Sequence, residues 1–298
     1  MEKLIDLHIH TVCSDGVLTP KEVIDEALTN KVSTIAICDH DTIEAYNEEL
    51  FEYAKEKSIK LILGVEISTK TKKCGIHVLG YNFDLNNKEL REKLYNLRNA
   101  RHIYLRNVAK KLEELGYKVA VDELDKIDAV TKAHIANDVI GNKENETKLK
   151  EVFGYVPQMV EFIETIMNEG CPAYVKKETI SPKEASSLIH KAGGKVILAH
   201  PVAYSYEDNL TEEDIEKLVI EMQPDGIETN YIYIDRNDIK HNDIIRWNDF
   251  AKKHNLKTTI GSDFHKKDGI HPIIGLVGED ITLTEDEVKQ MINFLLHN

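Results

Sequence analysis

The sequence predicts an α/β protein built on a parallel sheet, closed or doubly wound, with a helical segment inserted into it. Short apolar strand-like runs alternate with amphipathic helical segments near the start of the chain and again over its last third. Between them, over residues 88–171, the segments read as mainly helical, with apolar residues at helical spacing over the first part. The chain has 298 residues and is 42% hydrophobic, enough for a sizeable core.

The elements follow in order. In Leu4–Ile9, Ile5, Leu7 and Ile9 share one face, and Leu4, Asp6, His8 and His10 the other. Thr19-Pro20-Lys21-Glu22 is a capping box with Pro at the first helical position, opening a helix with Val23, Ile24, Ala27 and Leu28. Residues 33–38 read as a second strand, 43–57 as a helix, and 61–67 and 76–81 as the third and fourth strands. Leu90, Leu94, Leu97, Val108, Leu112 and Leu115 then recur at helical spacing. Further helices are expected near 134–140 and from Gln158, with the polar stretch 141–150 as a loop. A second capping box, Ser181-Pro182-Lys183-Glu184, opens a helix that ends at Gly193-Gly194. Strands are expected at 196–199, 226–229 and 258–260, with a short one at 273–277. Helices start at Thr211 and Thr284, and another holds Trp247, Phe250 and Ala251. The expected domain division is 1–87, 88–171 and 172–298, the middle segment a helical insertion between two parts of the sheet domain.

Net charge is −14 and no sustained Lys/Arg block occurs, so long duplex nucleic acid is not an expected partner. A small anionic substrate fits if bound metal supplies local positive charge. Cys13, Cys38, Cys74 and Cys171 are far apart, with no Cys-x-x-Cys pair, which points to reduced thiols and a cytoplasmic location. No run approaches the roughly 20 apolar residues of a membrane helix, so no membrane partner is expected. The oligomeric state is not legible in the sequence.

Chemistry-bearing side chains collect at the strand ends. The first strand ends in His8 and His10, with Asp15 in the following loop, and the second in Asp39-His40-Asp41. Glu66 closes the third strand, His77 lies in the fourth, His200 ends the strand after the insertion, and Asp263 and His265 follow the last strong strand. Residues i and i+2 of a strand point the same way, so His8 with His10, and Asp263 with His265, are each able to grip one ion. A single such histidine is an ordinary polar residue, but six strand ends sharing this chemistry is a pattern. Imidazole with carboxylate and no thiolate suits Mn, then Fe or Zn, over Ca or Mg. The set is too large for one tetrahedral ion, so two or three divalent ions are expected. Such a cluster carries net positive charge and activates bound water, which makes phosphoester hydrolysis by a metal-bridging hydroxide its natural chemistry. His102, His190, His241, His254, His271 and His297 read as surface or packing residues without partners, and Tyr231 and Tyr233 as structural.

Asp6-Leu7-His8-Ile9-His10, Asp15-Gly16, Cys38-Asp39-His40-Asp41, Gly64-Val65-Glu66, Ala199-His200-Pro201 and Gly261-Ser262-Asp263-Phe264-His265 resemble the motifs of the polymerase-and-histidinol-phosphatase (PHP) superfamily. Lys132-Ala133-His134-Ile135-Ala136 and Pro172-Ala173-Tyr174-Val175 resemble the branch with 3′,5′-nucleoside bisphosphate phosphatases and 5′–3′ oligoribonucleases. The resemblance implies a distorted seven-stranded (β/α) barrel with a trinuclear centre. In it, His8, His10, Glu66 and Asp263 hold one ion, Glu66, His77 and His200 a second, and Asp15, His40 and His265 a third. It makes Asp39 and Asp41 carboxylates that orient ligands, and the insertion a roof that selects the substrate. Arg101, Lys132, His134 and Lys177 are the expected contacts to a second phosphate or a ribose. Lys132 stands where the branch usually has Arg, and Ala133 where Pro is common. The expected substrate is a small nucleotide or short RNA. Histidinol-phosphate or cyclic-phosphate hydrolysis is the alternative within the fold, and a non-catalytic metal module the alternative outside it.

Overall fold

The computed structural model describes residues 4–127, 130–176, 179–278 and 283–297. Alternating, β-branched sequence forms the seven strands of one sheet: β1 Leu4–Ile9, β2 Val32–Ile37, β3 Lys60–Lys70, β4 Gly75–Tyr81, β5 Lys195–Leu198, β6 Gly226–Asn230 and β7 Lys257–Ile260. They lie side by side in chain order. All pairings are parallel except those of β4, which runs antiparallel to both β3 and β5. That reversal sets His77 opposite Ser68 of β3 and brings the start of β4 to the end of the sheet where its neighbours finish. Ala199 N–H then donates to His77 O at 3.3 Å, just beyond β5. A separate small hairpin pairs Tyr233–Ile234 with Lys240–His241.

The first and last strands meet and close the sheet into a barrel. Ile9 bridges Phe264, and His10 N–H donates to Phe264 O at 2.9 Å. A side chain supplements this seam. Buried Asp6 accepts from Ser262 N–H at 3.0 Å and, through its other oxygen, from Gly275 N–H at 2.8 Å. The expected strand at 273–277 is therefore absent. Gly275 has φ +91°, its amide serves Asp6, and Leu276 N–H closes a turn onto Ile273 O.

Ile5, Leu7, Ala36, Ile62, Leu79 and Ile197 form the barrel core, joined by Val288, Met291 and Leu295 of the final helix Glu285–Leu296. The capping boxes at Thr19, Ser181, Thr211 and Thr284 all form. The helix expected over 43–57 begins only at Glu48, with Asn47 accepting from Leu50 N–H. Tyr46 holds the preceding residues in another shape: its hydroxyl lies 2.7 Å from Ile37 O and accepts from Gly64 N–H at 2.8 Å. A short helix, Pro201–Glu207, starts directly after His200 and carried no periodic signal.

The chain divides into two compact units, Met1–Leu94 with Thr179–Asn298, and Tyr95–Glu178. The second has its own core, including Leu105, Val108, Leu112, Ile135, Leu149 and Phe162. Residues 141–150 are not the expected loop. A 3₁₀ turn, Lys143–Asn145, leads into the helix Glu146–Phe153. Buried Asn145 organises the turn, donating to Lys118 O and Val139 O and accepting from Lys118 N–H, while Leu149 is buried beneath the charged face. No helix among the described residues is long and apolar enough to cross a membrane.

Candidate metal centre

Glu66, on β3, organises the end of the barrel where most strands finish. Its Oε2 lies 3.3 Å from His8 Nε2, 3.2 Å from His10 Nε2 and 3.2 Å from His40 Nδ1. Its Oε1 lies 3.0 Å from His77 Nδ1 and 3.2 Å from His200 Nε2. Asp263 Oδ1 approaches His10 Nε2 at 3.1 Å and His8 Nε2 at 3.4 Å. Asp15 Oδ1 lies 3.4 Å from His265 Nε2 and 3.5 Å from His10 Nδ1, with Asp15 Oδ2 3.7 Å from His40 Nε2. All nine side chains named from the sequence thus come together. Three sets, each with donor atoms within 4.8 Å of one another, are His8, His10, Glu66 and Asp263; His10, Asp15, His40 and His265; and His40, Glu66 and His77. His10 borders two of these sets and His40 two, an overlap that the separate assignment of ligands to ions did not anticipate. His200 joins at 3.3 Å from His77 Nδ1.

These residues fit a metal group. Asp15 Oδ1, His40 Nδ1, Glu66 Oε2 and Asp263 Oδ1 are buried and have no hydrogen-bond partner, a costly condition unless something else satisfies them. The Nε2 atoms of His8 and His10 stand 3.1 Å apart, both turned toward the same carboxylate oxygens. Two neutral imidazoles with facing lone pairs repel; a shared cation resolves this. Without ions, protons stand in for that charge. Burial alone would push the His10 imidazole down, but Asp263 and Glu66 outweigh it and raise it to about 10. His8 is raised in the same way, against burial, by Glu228, Glu66 and Asp263. Burial opposes ionisation of Asp15, Glu66 and Asp263, yet the surrounding imidazoles hold all three carboxyls well below the usual range. Burial dominates at His40 and pushes it down to about 3.

Backbone strain concentrates here. His200 has φ 22° and ψ 63° immediately before Pro201, and Asp41 and Asp263 each have φ 53°. Asp39 acts one step from the rings: it accepts from Thr11 N–H at 2.7 Å and Ser14 Oγ at 2.6 Å, ordering the loop that carries Asp15, and Ser14 Oγ in turn lies 3.4 Å from His10 Nδ1. Asp41 accepts from Ser68 N–H at 2.9 Å.

Two neighbours were not read as part of the site. Glu228, on β6, sits with both oxygens 3.2 Å from His8 Nδ1. Tyr231, read as structural, donates to Asp263 Oδ2 at 3.2 Å. A carboxylate in a strand parallel to the ligand-bearing ones was the available signal for Glu228. Four of the six histidines expected to lack partners have one. His102 pairs with Asp125, His190 with Asp225, His241 with Asp235 and His271 with Asp268, all at 2.7–2.9 Å, and His254 packs on Phe250.

Of the four expected substrate contacts, Arg101, Lys132 and His134 belong to the second unit. Arg101 is buried on the helix Lys88–Glu114. Lys132 opens the helix Lys132–Gly141 and donates to Asn168 Oδ1 at 2.8 Å. His134 Nδ1 accepts from Thr131 N–H at 3.1 Å, completing that helix's capping box. Lys177 lies outside the described residues.

A closed α/β barrel that gathers imidazoles and carboxylates at one end defines a metal-site barrel protein. Residues 6–238 match the PHP domain, and the chain belongs to that family; it is a phosphoric ester hydrolase. It is 33% identical over 270 residues to a 5′-3′ exoribonuclease of Haemophilus influenzae, covering 89% of this chain and 91% of that one. It is 28% identical over 286 residues to a 3′,5′-nucleoside bisphosphate phosphatase of Chromobacterium violaceum, covering 95% and 92%. A crystal structure described as a metal-dependent phosphoesterase, from Bifidobacterium adolescentis, shares the fold with a TM-score of 0.74 over 99% of this chain and 97% of that one, at 22% identity.

Proposed function

We propose that the cluster holds two or three divalent ions, Mn first, and that the enzyme hydrolyses a phosphate ester of a nucleotide, either a 3′,5′-nucleoside bisphosphate or the 5′ end of a short RNA. The observation that carries this reading is the set of buried oxygen and nitrogen atoms on Asp15, His40, Glu66 and Asp263 that have no hydrogen-bond partner and fall within the three donor sets. His8, His10, Asp15, His40, Glu66, His77, His200, Asp263 and His265 would hold the ions. When bound, such ions polarise phosphoryl oxygens and lower the pKa of water. The side chains' part is to fix those ions against charge that develops in the transition state and to keep the imidazoles deprotonated toward them. The donor set is nitrogen and oxygen, as Mn, Fe or Zn prefer, and buried Cys38 donates its thiol to Leu7 O instead.

The names of the two relatives support a nucleotide or RNA substrate. The chain's acidity favours a small substrate over a long duplex. The helical insertion, with Arg101, Lys132, His134 and Lys177, is proposed to select that substrate, and four cysteines that form no disulfide support a reducing, cytoplasmic setting. The test is one assay series on chelated protein, before and after Mn²⁺ is restored. Its substrates are adenosine 3′,5′-bisphosphate, a short 5′-phosphorylated RNA and histidinol phosphate. Mn²⁺-dependent release of phosphate or nucleotide from the first two is expected. Turnover of histidinol phosphate alone would overturn the substrate assignment.

A further inference from the structure

Glu228 is a fully buried carboxylate beside the centre and outside the nine-residue set. Its partners are an imidazole and a backbone amide. Both oxygens lie 3.2 Å from His8 Nδ1, and Oε2 accepts from His200 N–H at 2.9 Å. From β6 it therefore reaches two candidate ligands, one on β1 and one just after β5.

Each contact constrains something a metal site needs. An imidazole has two nitrogens, and the bond one makes decides what the other presents. With Nδ1 against Glu228, His8 presents Nε2 to Glu66 Oε2 and Asp263 Oδ1, at 3.3 and 3.4 Å. His200 has φ 22° and precedes Pro201, a conformation that does not persist unless the surroundings impose it, and Glu228 holds its amide. Space has been made for this arrangement. A Cβ on Gly261 would fall 2.5 Å from Glu228 Oε1 and 2.2 Å from His8 Cβ.

We propose that Glu228 is a positioning residue that sets the metal affinity of the centre by fixing His8 with Nδ1 protonated and Nε2 free to ligate, and by clamping the His200 backbone. The inference rests on the metal reading above. A plain structural brace between β5 and β6 is the competing account, and it makes no claim on the His8 ring.

The test uses the full chain. Glu228→Gln keeps an acceptor for His200 N–H and removes the charge facing His8. Folding is followed by cooperative melting, and Mn²⁺ affinity by competition with a chromogenic chelator. Folded E228Q is expected to bind Mn²⁺ about 10–100-fold more weakly than the wild type, as partners of ligating histidines do. A folded variant with wild-type affinity overturns the proposal. A second readout needs no variant. In the Zn²⁺-loaded wild type, ¹⁵N NMR is expected to show His8 protonated at Nδ1 and ligating through Nε2; ligation through Nδ1 overturns the proposal. Wild-type protein that binds neither Mn²⁺ nor Zn²⁺ overturns the metal reading, and this inference with it.

Discussion

Glu66 faces five imidazoles, those of His8, His10, His40, His77 and His200, from one buried position. No neutral side chain offers two anionic oxygens to that many nitrogen donors and the cations they would hold. Glu66→Gln is therefore expected to lower kcat/KM at least about 100-fold, the upper end of what removing even an indirect partner does. Steady-state kinetics with metal content measured on the same samples checks this; near wild-type turnover would remove Glu66 from the site. Gly261 is the second residue-scale constraint. Gly261→Ala forces a Cβ into His8 and Glu228, so a stability loss of about 1–3 kcal/mol is expected, with weaker metal retention beside it. Denaturant melts of the metal-loaded and chelated variant separate the two effects.

At the scale of elements, the barrel strands and the capped helices were legible because period-2 runs and Ser/Thr-x-x-Glu/Asp boxes are local signals. The nine candidate ligands were legible for a similar reason: they follow short apolar runs, and the chemistry of each is visible in its type. The misses have non-local causes. Tyr46 delays a helix by bonding two other strands, and Asp6 takes the Gly275 amide that a strand would have needed. The helix Glu146–Phe153 was masked by its charge, since only Leu149 is deeply buried on it. Glu228 showed only as a carboxylate within a strand, because its meaning comes from His8, 220 positions away. If Leu149 anchors that helix in the second unit's core, Leu149→Ala should cost about 2–5 kcal/mol. A loss below about 0.5 kcal/mol, typical of surface positions, would return the segment to a loop.

At the scale of the whole molecule, the centre makes the protein's stability depend on what fills it. In chelated protein, His8 and His10 carry protons that the carboxylates hold, and His10 is raised from the ordinary imidazole value of 6.5 to about 10. A raised folded-state value means the stabilisation is complete below about pH 6.5 and is lost as pH climbs through about 10. The melting temperature of chelated protein should thus fall over that window, and His10→Gln should flatten the fall. A metal-free protein with a flat profile from 6.5 to 10 would contradict the proposed charge balance. With ions bound the same slope should shrink, because a ligand held only by the folded state adds its own binding free energy.

The barrel's closure has a further consequence. Between β1 and the segment that follows β7 the described residues show one bridge, Ile9 to Phe264, and the Asp6 carboxylate in place of a full ladder. His10 and His265 flank that bridge, and both belong to one donor set. Cations there would rivet the hoop at its weakest joint, so that loading the protein also stitches its first strand to its last. Amide exchange at His10, whose N–H spans the joint, should slow sharply on Mn²⁺ or Zn²⁺ addition, while exchange inside the long β3–β4 ladder stays as it was.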